Sequence, residues 1–389
     1  MGFNMYIPTR TLFGAGKLNK LKDQDMPGKK AMIVISNGKS TRENGYLART
    51  EEQLKLAGVE TVVFDKVEPN PLKSTVMLGS LFARENGCDF IVALGGGSCI
   101  DASKAIAIMA TNPGDLWDYI QSGTGKRKVI GVKPLPIVAI TTTAGTGSET
   151  DAGAVITNER TYEKVGIKGR ALFPVLAIVD PELMKSVPPE FTAFQGWDAL
   201  SHSMEGYINN KTSLMSDMYA ITAIENVGRY LARAVKNGTD MEARERVAFG
   251  NYLSGVVMCV GTTSSQHSLE HAMSAYHQDL PHGAGLIMLS KAYFTHFINK
   301  HVCDERFVQM ARAMGMEEAK EPMDFITMLV ELQKDCGVAD LKMSDYGIRR
   351  SEFETLAKNA KDSMGGLFSV DRSELSIEDC ILIYEASYK

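Results

Sequence analysis

The signal for extended structure stops about half-way along this chain. AMIVI (31–35), TVVF (61–64), DFIVAL (89–94), PIVAI (136–140) and VLAIV (175–179) are short, β-branched and almost wholly apolar, the composition of strands buried on both faces. Amphipathic stretches at 44–57 and 72–86 separate the first three at βαβ spacing, which predicts a Rossmann-like, mostly parallel sheet. GAVIT (153–157) and EKVGIK (163–168) flank NERTY and read as a hairpin excursion. Pro188-Pro189 then mark a break. Beyond it, 192–209, 213–235, 241–260, 264–277, 284–298, 303–314, 322–336, 351–361 and 376–387 have helical periodicity or helix-forming composition. A chain of 389 residues is long for one core. The expected architecture is therefore an α/β domain over 1–188 followed by an all-helical domain over 189–389.

Charge and composition narrow the partners. The net charge is −5 and dispersed, with no basic block and no basic stripe interleaved with aromatics, so nucleic acid is not expected. No apolar stretch is long enough to span a bilayer, and the first residues lack the pattern of a signal peptide. The six cysteines are scattered without a Cys-x-x-Cys pair, which fits a reducing compartment. The expected location is the cytoplasm, away from membranes.

The histidines are distributed differently. All seven lie between His202 and His301. Asp198 and His202 stand four apart in GWDALSHSMEGY, a spacing that points both side chains from one face of a helix. His267 and His282 follow in HSLEHAMSAYHQDLPHG. One carboxylate and three imidazoles form a mixed nitrogen and oxygen donor set that suits Fe²⁺ or Zn²⁺.

Two loops in the first half have the chemistry of a nucleotide site. Strand 89–94 runs into Gly95-Gly96-Gly97-Ser98 and then a helix, so backbone amides and the helix dipole favour an anion there. Ser98-x-x-Asp101 has the spacing of a helix cap, and Lys104 is near enough to add charge or to fix the loop. The hydroxyl-rich run Thr141 to Glu149, with Thr142, Thr143 and Ser148, follows strand 136–140. Ligands of open α/β sheets bind at such strand ends. The first strand ends in Ser36-Asn37-Gly38-Lys39-Ser40, without the acid that binds a ribose diol. Gly38, Lys39 and Ser40 offer donors and a positive charge instead, which favours NADP(H) over NAD(H).

Taken together these motifs resemble the iron-containing (group III) alcohol dehydrogenases, of the dehydroquinate synthase-like fold. The resemblance covers nearly the whole chain: Phe13-Gly14-Ala15-Gly16, Pro69-Asn70-Pro71, GGGSCIDASKAIA, TTTAGTGSE, AIVDPEL (177–183), PPEFTAFQGWDALSHSMEGY and Leu280-Pro281-His282-Gly283. It implies metal ligation by Asp198, His202, His267 and His282. It implies cofactor contacts at Asn70, Gly96, Gly97, Ser98, Asp101, Thr142, Thr143 and Ser148. It places His271 near the nicotinamide, as a candidate for proton relay. The implied reaction is metal-assisted hydride transfer between a nicotinamide cofactor and a small alcohol or aldehyde, with Fe²⁺ as the usual metal, Zn²⁺ also suiting the ligands, and a homodimer as the common assembly.

This chain departs from the family pattern in places. The run His267-Ser-Leu-Glu-His271 replaces the usual His-Ala-Met-Ala-His, and the gap to His282 is about one residue longer, which leaves His277 as a rival third imidazole. Asn-Pro-Arg is absent before SIEDCILIYEASY. A cyclase of the dehydroquinate synthase type and a non-catalytic nucleotide- or metal-binding scaffold are the alternative readings.

Overall fold

In the computed structural model, which describes residues 2–389, the chain folds as two compact units. One comprises Ile7–Thr143 and Gly147–Ser186; the other comprises Val187–Lys389 with Ala144–Thr146 and the N-terminal segment through Tyr6.

The first unit contains β1 (Arg10–Phe13), β2 (Lys30–Ser36), α1 (Ser40–Glu43), α2 (Tyr46–Leu56), β3 (Glu60–Val67), α3 (Lys73–Glu85), β4 (Phe90–Gly95), α4 (Gly97–Thr111), α5 (Leu116–Tyr119), β5 (Ile137–Thr141), β6 (Gly153–Asn158), β7 (Glu163–Lys168) and β8 (Leu176–Val179). Six strands form a wholly parallel sheet in the order β1-β8-β5-β4-β2-β3. β4, β5 and β8 are buried along their whole length, as their unbroken apolar runs require. Ile33, Val92, Val138 and Ile178 share one core cluster with Leu18, Leu47 and Leu54. β6 and β7 pair antiparallel as the expected hairpin.

The sheet gained a strand that the sequence reading missed. β1 is four residues long and sits at an edge with one exposed and three half-buried positions, too short and too mixed to give a periodic signal. Its following turn is held by Asp180 at the end of β8. The Asp180 carboxylate accepts from the amides of Gly16 and Leu18, both at 3.0 Å. The Phe13–Gly16 and AIVDPEL segments are therefore two halves of one connection.

The second unit is helical: α6 (Pro189–Ile208), α7 (Leu214–Lys236), α8 (Met241–Val260), α9 (Ser265–Tyr276), α10 (His282–Asn299), α11 (Asp304–Met314), α12 (Met323–Asp335), α13 (Phe353–Phe368) and α14 (Ile377–Ser387). Pro189 starts α6 at a position where a missing amide hydrogen costs nothing. α6 is buried on nearly every side and packs against α7, α8 and α10. Glycines make that possible. A Cβ on Gly196 would lie 2.2 Å from a Leu231 methyl, and one on Gly206 would lie 2.5 Å from a Val257 methyl. The central helix of the unit thus carries Asp198 and His202 away from solvent. Among the described residues, no helix is long and apolar enough to cross a membrane.

Candidate metal and nucleotide sites

α6 presents Asp198 and His202 one turn apart, as the spacing predicts, and both are buried. His267 lies in the first turn of α9, and His282 is the first residue of α10. Three residues after the His277 cap of α9, Leu280-Pro281 leads into α10, with Pro281 as its N-cap, and Gly283 lets α10 approach α6. A Cβ at Gly283 would fall 2.1 Å from the Phe194 carbonyl oxygen, so no other residue fits without moving backbone.

These elements bring the four side chains together. Asp198 Oδ1 is 3.6 Å from His202 Nδ1, 3.5 Å from His267 Nε2 and 3.4 Å from His282 Nε2. The His202 and His267 rings stack with centroids 4.5 Å apart. Donor atoms about 2.1 Å from a shared tetrahedral ion would lie roughly 3.4 Å apart. Asp198 Oδ1, His202 Nδ1 and His267 Nε2 are buried without a hydrogen-bond partner. Burying such atoms unpaired costs free energy, and they are of the types that bind transition metals. Asp198, His267 and His282 place one ligand atom each within 4.8 Å of one another, a set that fits a divalent cation, with His202 beside it through the 3.6 Å approach of its Nδ1 to Asp198. His277 is not part of it: that ring sits at the end of α9, where its Nε2 is 3.3 Å from Glu352.

Two buried glutamates complete the arrangement, and the sequence reading did not single them out. Glu205, on α6, accepts from His267 Nδ1, and Glu270, on α9, accepts from His282 Nδ1. Each carboxylate fixes its partner's tautomer, leaving Nε2 as the lone pair that faces Asp198. Both are fully buried, and charged side chains with no solvent face on a helix were the available signal.

Electrostatics match this geometry. Burial alone would raise the Asp198 carboxyl, but the His202 and His282 rings and the close-facing nitrogens of His267 and His282 hold it well below the usual carboxylate range. Burial and the neighbouring rings His267 and His282 push His202 down to about 4, against the pull of Asp198. Burial also opposes a charge on His267, yet Glu205 and Asp198 raise it to about 10. The Asp198 and Glu205 carboxylates thus favour positive charge at His267, while burial and the neighbouring rings disfavour it at His202.

His271 lies one turn after His267. Its Nδ1 is 2.9 Å from the sulfur of Met364, at a kink in α13, and its ring centroid is 5.3 Å from that of His282. Glu270, His271 and His282 also place one potential ligand atom each within 4.8 Å of one another.

In the first unit, β4 and β2 are neighbours at the point where successive connections leave in opposite directions, the place where open α/β sheets bind ligands. The Gly95–Ser98 turn follows β4, and Gly38, Lys39 and Ser40 follow β2, all three exposed. The second loop is attached directly to the first. Thr142 donates its amide to the Gly95 carbonyl at 3.0 Å, and a Cβ on Gly96 would lie 2.8 Å from the Thr143 side chain. α4 begins at Gly97, with no side-chain cap, so the amides of Gly97 and Ser98 head the helix. That is a fit for a diphosphate.

Asp101 and Lys104 do something other than touch a ligand first. Asp101 is too far into α4 to cap its start, contrary to the Ser98-x-x-Asp101 expectation. Its carboxylate instead accepts from Ser148 Oγ at 2.6 Å and from the Val155 amide at 2.8 Å. Burial, partly offset by Lys104 and these bonds, raises it to about 6. Lys104 is wholly buried, and its ammonium donates to Ser148 O and Oγ, Asp151 Oδ1 and Gly153 O at 2.6–2.8 Å. Both residues tie the second loop to α4. Asn70 is buried after β3 in the left-handed region (φ 53°) and accepts from Lys164 Nζ at 2.9 Å.

Comparison with known proteins adds the family. Residues 8–181 match the iron-containing alcohol dehydrogenase family, and residues 192–388 match the C-terminal part of the Fe-containing alcohol dehydrogenase family. The chain is 32% identical to the NAD-dependent methanol dehydrogenase of Bacillus methanolicus, over 92% of this chain and 93% of that protein. It is 34% identical to the 1,3-propanediol dehydrogenase of Citrobacter freundii, over 95% of each. Among solved structures, an archaeal halo-thermophilic alcohol dehydrogenase from a Red Sea brine pool superposes with a TM-score of 0.93 at 32% identity, covering 100% of this chain and 99% of that one.

Proposed function

The chain belongs to the iron-containing alcohol dehydrogenase family, and we propose that it passes hydride between NADP(H) and a small alcohol or aldehyde, with Asp198, His202, His267 and His282 holding the metal. The observation that carries the residue assignment is the convergence on Asp198 Oδ1, at 3.4–3.6 Å, of the buried imidazoles of His202 and His267 and the half-buried one of His282. Fe²⁺ is the metal the family name implies, and Zn²⁺ suits the same donors. When bound, the metal supplies Lewis acidity towards an alcohol or carbonyl oxygen, and the nicotinamide carries the hydride.

The chain's own residues prepare that chemistry. Asp198 contributes one negative charge, so a divalent cation keeps net positive charge with three neutral rings around it. Glu205 and Glu270 orient His267 and His282. Glu205→Gln, which keeps the shape but loses the carboxylate, is expected to weaken metal binding roughly 10- to 100-fold. Competition against a chelator measures this; undiminished affinity would deny Glu205 that role. His271 is the proposed proton carrier, at Nε2, because its Nδ1 faces Met364. The Gly97 and Ser98 amides are proposed to hold the cofactor's diphosphate, with Gly96, Thr142 and Thr143 lining its approach and Asn70 contributing from the turn after β3. Asp101 and Ser148 take part through the loop they hold.

The preference for NADP(H) rests on Gly38, Lys39 and Ser40, which leave no carboxylate at the end of β2. Relatives named for NAD or NADH use make the choice a sharp test. With a panel of short aldehydes and added Fe²⁺ or Zn²⁺, kcat/KM is expected to be higher with NADPH. Lys39→Asp should cost about tenfold or more with NADPH, the value of one charge-assisted bond, and little with NADH. Equal or better turnover with NADH in the unaltered enzyme would refute the preference. No metal-dependent turnover with either cofactor would refute the wider reading. A homodimer located in the cytoplasm completes the proposal.

A further inference from the structure

A chain of buried hydrogen bonds leads away from the donor set on the side opposite Asp198. Glu205, which holds His267 through Oε1, uses Oε2 to accept from the Ser264 amide at 2.9 Å, the Ser264 hydroxyl at 3.2 Å and the His267 amide at 3.3 Å. Ser264 Oγ lies 2.9 Å from Tyr293 Oη. Tyr293 Oη is also 3.1 Å from Ser265 Oγ and donates to Asp371 Oδ1 at 3.3 Å. Asp371 Oδ1 in turn accepts from the Ser265 amide at 3.4 Å. Two buried carboxylates therefore share the amides at the start of α9, and the Tyr293 hydroxyl joins them.

Asp371 is itself fixed from outside this chain. The segment bearing it is bonded to the end of α6: Asn210 donates its amide to Val370 O at 2.8 Å and its side chain to Asp371 O at 3.1 Å, and Arg372 donates to Ile208 O at 2.7 Å. Asp371 thus sits where α6, the start of α9 and α10 meet, and the first two of these helices carry Asp198, His202 and His267. It lies between α13 and α14, where the family's Asn-Pro-Arg run is missing from this sequence.

We propose that Asp371 is a positioning residue for the metal site, acting through Tyr293 and Ser264 on Glu205 and so on the orientation of the His267 ring. Counting protons explains why an acceptor oxygen is needed there. Ser264 Oγ has one hydrogen and spends it on Glu205 Oε2. The Ser265 amide, at the helix start, has no carbonyl one turn back to accept it. A short acceptor at 371 takes that amide and the tyrosine hydroxyl together. Without it, Tyr293 and the first turn of α9 can relax, and Glu205 loses the fixed partners that aim its other oxygen at His267. Burial of Asp371 (9% exposed) makes an unmet bond there costly.

The proposal rests on the reading of Asp198, His202, His267 and His282 as metal ligands, and its test separates the two. Zn²⁺ affinity by chelator competition and the visible bands of the Co²⁺-loaded protein report the site without turnover. Asp371→Ala and Tyr293→Phe are expected to weaken Zn²⁺ binding, Asp371→Ala by about tenfold, at the low end for partners outside the ligand set, and to shift the Co²⁺ bands. Asp371→Asn, which keeps an acceptor oxygen, is expected to restore both. In a Glu205→Gln background, Asp371→Ala should weaken binding no further, because the two act in series. Tyr293→Phe removes only a hydroxyl and keeps the ring's packing, so it carries the test should Asp371→Ala not fold. Unaltered protein that binds Zn²⁺ while these variants match it in affinity and bands would overturn this inference alone. So would failure of Asp371→Asn to restore, or additive losses with Glu205→Gln. Unaltered protein that binds neither ion would overturn the ligand reading, and this proposal with it.

Discussion

Asp198→Ala is expected to leave a folded protein that retains no metal and turns over at least about a thousandfold more slowly, since Lewis-acid stabilisation is worth several kcal/mol and each 1.36 kcal/mol is tenfold in rate. The effect is large because of where Asp198 sits. Its Oδ1 lies within 3.6 Å of a nitrogen of each of the three imidazoles, and it brings the only negative charge among the four. Each histidine substitution removes one neutral donor; this one removes the charge and the common neighbour. Asp198→Asn should be nearly as severe, because it keeps the shape and an oxygen but not the charge. Metal content, circular dichroism and turnover with added Fe²⁺ or Zn²⁺ measure the outcome. A variant that keeps a full equivalent of tightly held metal would contradict it.

Lys104→Met should have the second-largest effect, on the other unit. The Lys104 ammonium is fully buried, paired with Asp151 and shared among four acceptors. Removing one partner of a buried pair leaves the other charge unmatched, at a cost of about 3–5 kcal/mol. Here Asp151 loses its ion-pair partner and Asp101 the nearby positive charge, and Asp101 already has a carboxyl raised to about 6 by burial. Loss of the ammonium should raise it further, so this variant should lose more stability as pH rises through neutrality, where Asp101 must ionise without it. Nicotinamide nucleotide affinity should fall as well, because Ser148 and the 141–149 loop lose their anchor on α4. Thermal unfolding at pH 6 and 8 and a cofactor titration check both parts. An unchanged unfolding midpoint would show that the buried ammonium holds nothing in place.

The parts of this architecture that were legible in the sequence are those set by local pattern. Runs such as DFIVAL and PIVAI became central strands because a parallel sheet covered on both faces selects continuous apolar segments. Asp198 and His202 could be paired because four residues is one helical turn. Long-range geometry was not legible. Nothing in the spacing chooses His282 over His277; the choice is made by the Leu280-Pro281 turn, which starts α10 at His282 while His277 ends α9 beside Glu352. The resemblance to a known family supplied what spacing could not. The Ser98–Asp101 cap failed because α4 starts at Gly97, so Asp101 bonds instead to Ser148 and to the Val155 amide, 47 and 54 residues away. Glu205 and Glu270 escaped notice because a glutamate on a helix usually faces water, and only the packed unit reveals that neither does.

The central claim is that four side chains from three helices share one cation. Diffraction from crystals of iron- or zinc-loaded protein, recorded at the absorption edge of the added metal, tests it most directly. The account expects one anomalous peak per chain, within roughly 2.0–2.3 Å of Asp198, His202, His267 and His282. A peak held instead by Glu270, His271 and His282, whose donors also lie within 4.8 Å of one another, would contradict it, as would no peak in this helical unit at all.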